Sequence, residues 1–427
     1  MDDRTYRWVL IFLLWIIGFL NYVDRVAIFS VFPLLRQEMG VTNMQMALVG
    51  TVFLWTYSAC SPLAGYIGDR FHRKDVIISS FVLFSLVTFA SGLVHTGNQL
   101  IILRSLLGVS EALFIPTAVA YVADFHPDTS RSFAIAIMLT SAPAGAAVGG
   151  AYGGFMGEHY SWRMAFFLLG VMGVLLALIL APLLRKTSKG GATAQSNVPE
   201  QPLGRRLLVI LSTPTVLIIM FIGFAQSLTS WPIMNWMPLY VHEKFGLSLT
   251  RAGFMGTFPV QITVMVATLI GGAIGDRWAR RNRTGRMYLQ AIGCGIVAPA
   301  MLAMGFAPSA MLLIGNMIVY GIGRGSVDCN FMPTLCYVVP ATGWATTYGI
   351  LNLANTLGGS IGVLMVGAMK SSWGTGMALS ATSVAVFVAF ALALLGALKY
   401  LSRDIARREA QDAQAVVETS RSMQEAD

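Results

Sequence analysis

Twelve apolar segments, each about as long as a bilayer is thick, follow one another along this chain with mostly short breaks between them. A helix needs about 20 apolar residues to cross the hydrocarbon core. The segments run at about 7–34, 44–69, 75–95, 98–125, 130–155, 161–184, 207–241, 250–277, 286–306, 309–338, 342–370 and 375–400. Of the 427 residues, 56% are hydrophobic and 11% charged, against about 25% charged in an ordinary soluble domain. A soluble fold of this size lacks the interior to hide that much apolar surface. A soluble enzyme, a disordered chain and a nucleic-acid binder are therefore excluded. The fold class expected is an all-α membrane protein of twelve transmembrane helices in two pseudo-symmetric six-helix bundles.

The division into bundles follows from one polar stretch. Residues 185–206 hold Lys189, Gly190, Gly191, Ser196, Pro199 and Pro202, a linker composition. It separates an N-terminal bundle (1–184) from a C-terminal bundle (207–400), and a polar tail occupies 401–427. The halves repeat one another. GYIGDRFHRK, with Gly65, Asp69, Arg70, Arg73 and Lys74, recurs as GAIGDRWARR, with Gly272, Asp276, Arg277, Arg280 and Arg281. Gly50-Thr51 recurs as Gly256-Thr257. Gly108, Glu111, Phe114 and Pro116 recur as Gly325, Asp328, Phe331 and Pro333. Duplicated helical halves around a linker are a transporter design.

Charge sets the orientation. With both termini in the cytoplasm, 21 of the 29 Lys and Arg fall on the cytoplasmic side. Five fall opposite (Arg36, Arg163, Lys244, Arg251 and Lys370), and Arg25, Arg104 and Arg324 fall inside segments. The net charge of +9 thus reads as the positive-inside rule. The first apolar segment is too long for a signal-peptide core, and no clear cleavage site follows it. Cys60, Cys294, Cys329 and Cys336 lack metal-ligand spacing and read as small hydrophobes. Gly321-x-Gly323-x-Gly325 has no preceding strand, so it is not a nucleotide loop.

Six ionisable residues interrupt apolar segments: Asp24, Arg25, Arg104, Glu111, Arg324 and Asp328. Each costs roughly 2.5–3.5 kcal/mol at the bilayer centre. Unpaired, the six would cost on the order of 15 kcal/mol, comparable to the stability of a whole domain. Three are cations and three are anions, so they can neutralise one another. Arg104 and Glu111 share a helix face but sit about 10.5 Å apart along it, so each needs a partner elsewhere. The preferred pairing is Asp24 with Arg104, leaving Arg25 for Glu111 or a substrate. Arg324 and Asp328 are i,i+4 neighbours and can pair on their own helix. Arg25, Arg104, Arg324 and Asp328 are candidate substrate-binding residues; the alternative is that all six are fixed ion pairs locking helices together.

A carboxylate here is a proton carrier if a substrate anion takes away its arginine partner. Polar side chains add a possible specificity shell: Tyr22 in segment one; Gln226, Ser230, Trp231 and Asn235 in segment seven; Asn330 in segment ten; Asn352 and Asn355 in segment eleven. Interhelical hydrogen bonding is the alternative role for these amides. Asp69, Arg70, Arg73, Asp276, Arg277 and Arg280 are expected to gate, fastening one half to the other.

The G-x-x-x-D-R-x-x-R-[RK] loop in both halves resembles the signature of the major facilitator superfamily, with His72 where a Gly is usual. Within it, Asn21-Tyr22-Val23-Asp24-Arg25 and Arg104 with Glu111-Ala112 resemble two groups, the anion:cation symporters and the Spinster-like lipid transporters. Trp236-x-Pro238-x-Tyr240 and Asn352-Leu353-x-Asn355 lean toward the symporters. Ala142-Pro143-Ala144-Gly145 and the Arg73-Lys74 ending fit the Spinster-like group as well. The symporter resemblance implies Asp24 and Glu111 as protonation sites, with Arg25 binding a substrate carboxylate. Arginine suits that role because its planar fork bonds a carboxylate at two points.

The expected activity is proton-coupled symport of an organic anion, a sugar acid or similar carboxylate. The alternative is a proton-linked carrier of lysolipid or another amphipath. No enzyme chemistry is expected, because the five histidines lie at or near loop ends and no catalytic cluster forms. Nor is a cofactor expected, the proton gradient being the energy source. The partners are the anion, protons and membrane lipids, with no nucleic acid. The expected unit is a monomer in a bacterial-type inner membrane.

Overall fold

The computed structural model describes residues 2–185, 211–340 and 344–410. The linker from 186 onward, the tail beyond 410 and the start of the seventh segment lie outside the described residues. Within them the chain is helical. Ten helices are long and apolar enough to cross a membrane. The last of these runs over Thr346–Ala410 and is interrupted at Gly374 (φ 73°, ψ 161°). Outward-facing side chains are apolar, as with Leu178, Leu269 and Met311, which are 66%, 73% and 84% exposed. This is what lipid contact requires, since every backbone group is satisfied inside its own helix.

In the N-terminal half the helices are α1 (Asp3–Ser30), α2 (Phe32–Met39), α3 (Asn43–Arg70), α4 (Arg73–Ser91), α5 (Gly97–Ala112), α6 (Phe114–Phe125), α7 (Asp128–Leu139), α8 (Ser141–His159) and α9 (Trp162–Leu183). The C-terminal half has α10 (Pro214–Phe245), α11 (Leu249–Arg281), α12 (Gly285–Phe306), α13 (Ala310–Asp328), α14 (Phe331–Val338), α15 (Trp344–Ala381) and α16 (Ser383–Leu395).

The sequence repeat reappears as geometry. Gly40 ends α2 and Gly246 ends α10, with φ of 62° and 63°. Only glycine takes that left-handed turn without strain. Thr42 and Ser248 then cap the next helices through the backbone N–H groups of Gln45 and Arg251.

Of the expected single helices, the first is broken at Val31 and the twelfth at Thr382, and three more are broken ahead of prolines. The fourth segment divides at Leu113, the tenth at Cys329–Asn330, and the fifth at Thr140. Each of these three breaks lies just ahead of a proline: Pro116, Pro333 and Pro143. A proline has no N–H for the carbonyl four residues back and crowds it. In the two repeated segments the acid stands at the break, Glu111 one residue before the end of α5 and Asp328 as the last residue of α13.

The halves meet along two seams, α8 against α11 and α3 against α15. Gly150 and Gly253 lie so close that a Cβ on Gly253 would sit 2.0 Å from the Gly150 carbonyl oxygen. At the far end of this seam, away from the termini, Glu158 accepts from the Thr250 backbone N–H (3.0 Å) and hydroxyl (2.6 Å). Arg36 pairs with Glu243 across the halves at 3.5 Å.

Glu158 thus acts on α11 as a cap supplied by the opposite half, a contact worth about 1 kcal/mol. Glu158→Ala is expected to shift the closed-to-open ratio of this seam about fivefold. The check is the rate at which an impermeant maleimide labels a cysteine placed at Leu249, which is buried against Gly154 in the seam. An unchanged rate would show that Glu158 does not hold the seam.

Candidate functional site

The N-terminal half concentrates its charge between α1, α3, α4 and α5. Arg25 donates from Nη2 to Glu111 Oε2 at 2.5 Å, and the Glu111 side chain is fully buried. The guanidinium is wrapped by rings, 4.3 Å from the Tyr22 centroid, 4.5 Å from Phe53 and 5.5 Å from Tyr57. Such contacts offset part of the cost of burying a cation. Gly108 makes them possible: a Cβ there would collide with the Thr56 hydroxyl and the Phe53 carbonyl. Without it α3 would stand away from α5, and Phe53 and Tyr57 would not reach Arg25.

Asp24 accepts from the Thr88 hydroxyl at 2.9 Å. Arg104 is an electrostatic neighbour of Asp24 but forms no direct ion pair with it, contrary to the expected pairing. Arg104 lies 5.7 Å from the Phe166 ring centroid, and its Nε and Nη2 have no hydrogen-bond partner. Asp24 Oδ1 and Glu111 Oε1 are likewise buried without a partner. The cluster therefore keeps unused donors and acceptors, which a purely structural network would leave at a cost of about 1–3 kcal/mol each.

In the C-terminal half, Arg324 donates from Nε to Asp328 Oδ2 at 3.0 Å. Here Gly325 is the counterpart of Gly108, admitting α11 to within contact of α13. Gln226, Arg324, Asp328, Asn352 and Asn355 converge on a polar pocket of about 230 Å³, with Tyr348 on its wall. Gln226 is buried, and its Oε1 has no partner. A larger cavity of about 740 Å³ lies between α7 and α8 on one side and α10 and α11 on the other. Tyr22, Trp231 and Arg324 line it. Arg324 therefore faces both spaces, and Tyr22 separates the larger one from Arg25.

Two expected ligand residues lie elsewhere. Asn235 is fully buried against Gly50 at the seam between halves. Asn330 accepts from Arg286 at 3.1 Å and donates to the Ser326 carbonyl. The Asn330 amide is bonded to its helix neighbours, whereas Asn235 Nδ2 and Oδ1 are buried without a hydrogen-bond partner. Two of the expected gating residues form ion pairs. Arg73 pairs with Asp124, and Asp276 with Arg286, so each named contact stays within its own half. Arg70, Arg277 and Arg280 are exposed at helix ends. The Asp69 side chain lies outside the described residues.

The aromatic wrap of Phe53 and Tyr57, and Thr88 beside Asp24, went unread in the sequence. The four-residue spacing of Phe53 and Tyr57 on one helix face was the available signal.

Comparison with known proteins fits this architecture. The sequence profile described as Major Facilitator Superfamily matches residues 14–363. The chain belongs to the Major Facilitator Superfamily. Its relatives include two differently named transporters. The D-galactonate transporter of Escherichia coli O6:H1 is 26% identical over 92% of this chain and 95% of its own length. The sphingosine-1-phosphate transporter SPNS2 of Mus musculus is 24% identical over 80% of this chain and 66% of its own length. The crystal structure of a bacterial homolog of the human lysosomal transporter Spinster, inward-facing and unoccupied, superposes with a TM-score of 0.83. That structure is 20% identical and covers 93% of this chain and 98% of its own, a likeness of fold. The protein is thus a multi-pass membrane transporter of this superfamily, not an enzyme.

Proposed function

We propose that the protein carries an organic carboxylate together with protons by alternating access. Twelve membrane crossings in two bundles, 1–184 and 207–400, would move against one another, with both termini cytoplasmic in a bacterial-type plasma membrane. The observation that carries the reading is the buried Arg25–Glu111 pair, one ring away from the large cavity. A substrate carboxylate competes with Glu111 for the guanidinium. Once Arg25 turns to the substrate, Glu111 is a buried carboxylate without a counter-ion. It then takes a proton from the open side rather than remain charged. When anion and proton have left on the other side, Arg25 and Glu111 pair again and the empty carrier returns. Asp24, held by Thr88 beside Arg104, is the second carboxylate available for protons.

Energy comes from the proton gradient, and the substrate-free pairing keeps protons from leaking alone. Sugar acids are the first substrates to test, given the galactonate relative. In proteoliposomes with an acidic exterior, D-galactonate or another organic carboxylate is expected to accumulate above its external concentration, and a protonophore should abolish this. Uptake that only equilibrates, at any pH gradient, would remove the coupling.

A second reading has its own observation. The large cavity extends outward to Leu139 and Leu269, which are 43% and 73% exposed on the lipid-facing side. An amphipath such as a lysolipid could enter by that route. Saturable lysolipid binding, with no binding of any small carboxylate, would favour it.

A further inference from the structure

The two C-terminal cavities differ in chemistry and meet at one residue. The polar pocket is bounded by Gln226, Asp328, Asn352 and Asn355, and the larger space by Ile233, Met234, Val260, Val264 and Met265. Arg324 lines both. We infer that Arg324 is the docking point for the substrate's carboxylate, and that the substrate's body, lying in the larger space, is apolar: an aryl or alkyl carboxylate rather than a polyol acid. This rests on the organic-carboxylate reading above and narrows its substrate class.

Three observations carry it. First, the Arg324 bond to Asp328 uses Nε, and Tyr320 is the other hydrogen-bond neighbour of the guanidinium, so the remaining donors of the fork lie outside those two contacts. The Arg324 side chain is 22% exposed, whereas that of Arg25 is 7% exposed and screened by Tyr22. An anion entering the cavity in this conformation meets Arg324 first and is then drawn to Arg25, displacing Glu111, so both arginines contribute to the measured affinity.

Second, the larger space is mostly apolar: besides Tyr22 and Arg324, its polar side chains are Thr140, Ser230, Thr257, Gln261 and Thr268. The Thr257 hydroxyl already donates to the Gly253 carbonyl at 2.9 Å. The Thr140 hydroxyl donates to the Ile137 carbonyl at 2.6 Å and accepts from Trp15. A polyol chain placed there would leave hydroxyls unpaired, whereas an aryl or alkyl body gains from the Val264, Met265 and Trp231 surfaces. The volume of about 740 Å³ falls in the range of small-molecule sites, which are mostly apolar with a few placed polar groups.

Third, the polar pocket is built for a head group. Gln226 is 1% exposed and lines it with an unpartnered Oε1, and Asn355 Oδ1 is also unpartnered. These acceptors suit a donor beside the carboxylate, such as a single hydroxyl. No covalent step is involved: the incoming carboxylate takes the Nη side of the guanidinium while Nε stays with Asp328.

The test is binding to the purified full-length protein by calorimetry, with 3-phenylpropanoate and D-galactonate as probes of equal charge. 3-Phenylpropanoate is expected to bind at least tenfold tighter than D-galactonate. Val264→Asn, which makes the wall polar, should weaken 3-phenylpropanoate severalfold and leave D-galactonate unweakened. Arg324→Gln should weaken 3-phenylpropanoate more than tenfold. If that variant does not fold, the two-ligand comparison in the wild type and Val264→Asn decides alone. D-Galactonate binding as tightly or tighter, or an Arg324→Gln protein with unchanged affinity, overturns the inference while leaving carboxylate transport standing. Binding of neither carboxylate overturns both.

Discussion

Glu111→Gln is expected to abolish concentrative uptake, down to passive equilibration, while substrate counterflow continues. The amide keeps the size of the side chain and still accepts a hydrogen bond from Arg25, but it cannot take up a proton. Counterflow exchanges one loaded carrier for another and needs no net proton movement. The effect should be large because the Glu111 side chain is fully buried and its partner is the one cation at 2.5 Å. Uptake driven by an imposed pH gradient and counterflow with preloaded substrate, measured in the same vesicles, check this. Concentrative uptake by Glu111→Gln would show that the proton is carried elsewhere.

Arg25→Lys is expected to weaken substrate affinity more than tenfold. The charge is kept, but the flat fork is lost, and with it one of two parallel bonds to a carboxylate. A hydrogen bond to a charged group contributes roughly 1.5–3 kcal/mol net, and each 1.4 kcal/mol is about a factor of ten. The rings of Tyr22, Phe53 and Tyr57 are spaced for a guanidinium, and a lysine ammonium fills that space poorly. Titration of the purified variant checks this. Equal affinity in Arg25→Lys and wild type would make Arg25 a structural partner of Glu111 alone.

Much of this arrangement is legible in the sequence because the bilayer imposes a length on every apolar run. The paired Gly108 and Gly325, and the paired Glu111 and Asp328, announce the duplication before any coordinates. Pro116 and Pro333 were present in those same motifs, yet the fourth and tenth segments read as continuous helices. Hydrophobicity is unchanged across a proline break, so a reading based on apolar length passes over it.

Charge inside the membrane marks the site, and the Arg25–Glu111 contact follows from neutralisation. Which acid finds which base depends on rotation and tilt of the helices, which composition does not encode. So Asp24 turns to Thr88, a small hydroxyl with no signal of its own among apolar neighbours. Asn330 illustrates the same limit: an amide in a membrane helix serves a neighbouring helix as readily as a substrate. Arg324 is a candidate substrate ligand in the sequence by its charge inside an apolar segment, but self-pairing with Asp328 is an equal alternative there, and only the structure shows that it borders two cavities.

Proton uptake on substrate binding tests the exchange at Arg25 most directly. It is read from calorimetry in buffers of different ionisation enthalpy, using the purified protein and a carboxylate that binds. Binding is expected to take up about one proton per anion in the wild type, because Glu111 loses its counter-ion and is neutralised. In Glu111→Gln that uptake should disappear while binding persists. Binding without proton uptake in the wild type, or equal uptake in Glu111→Gln, would contradict the exchange of Arg25 between Glu111 and the substrate.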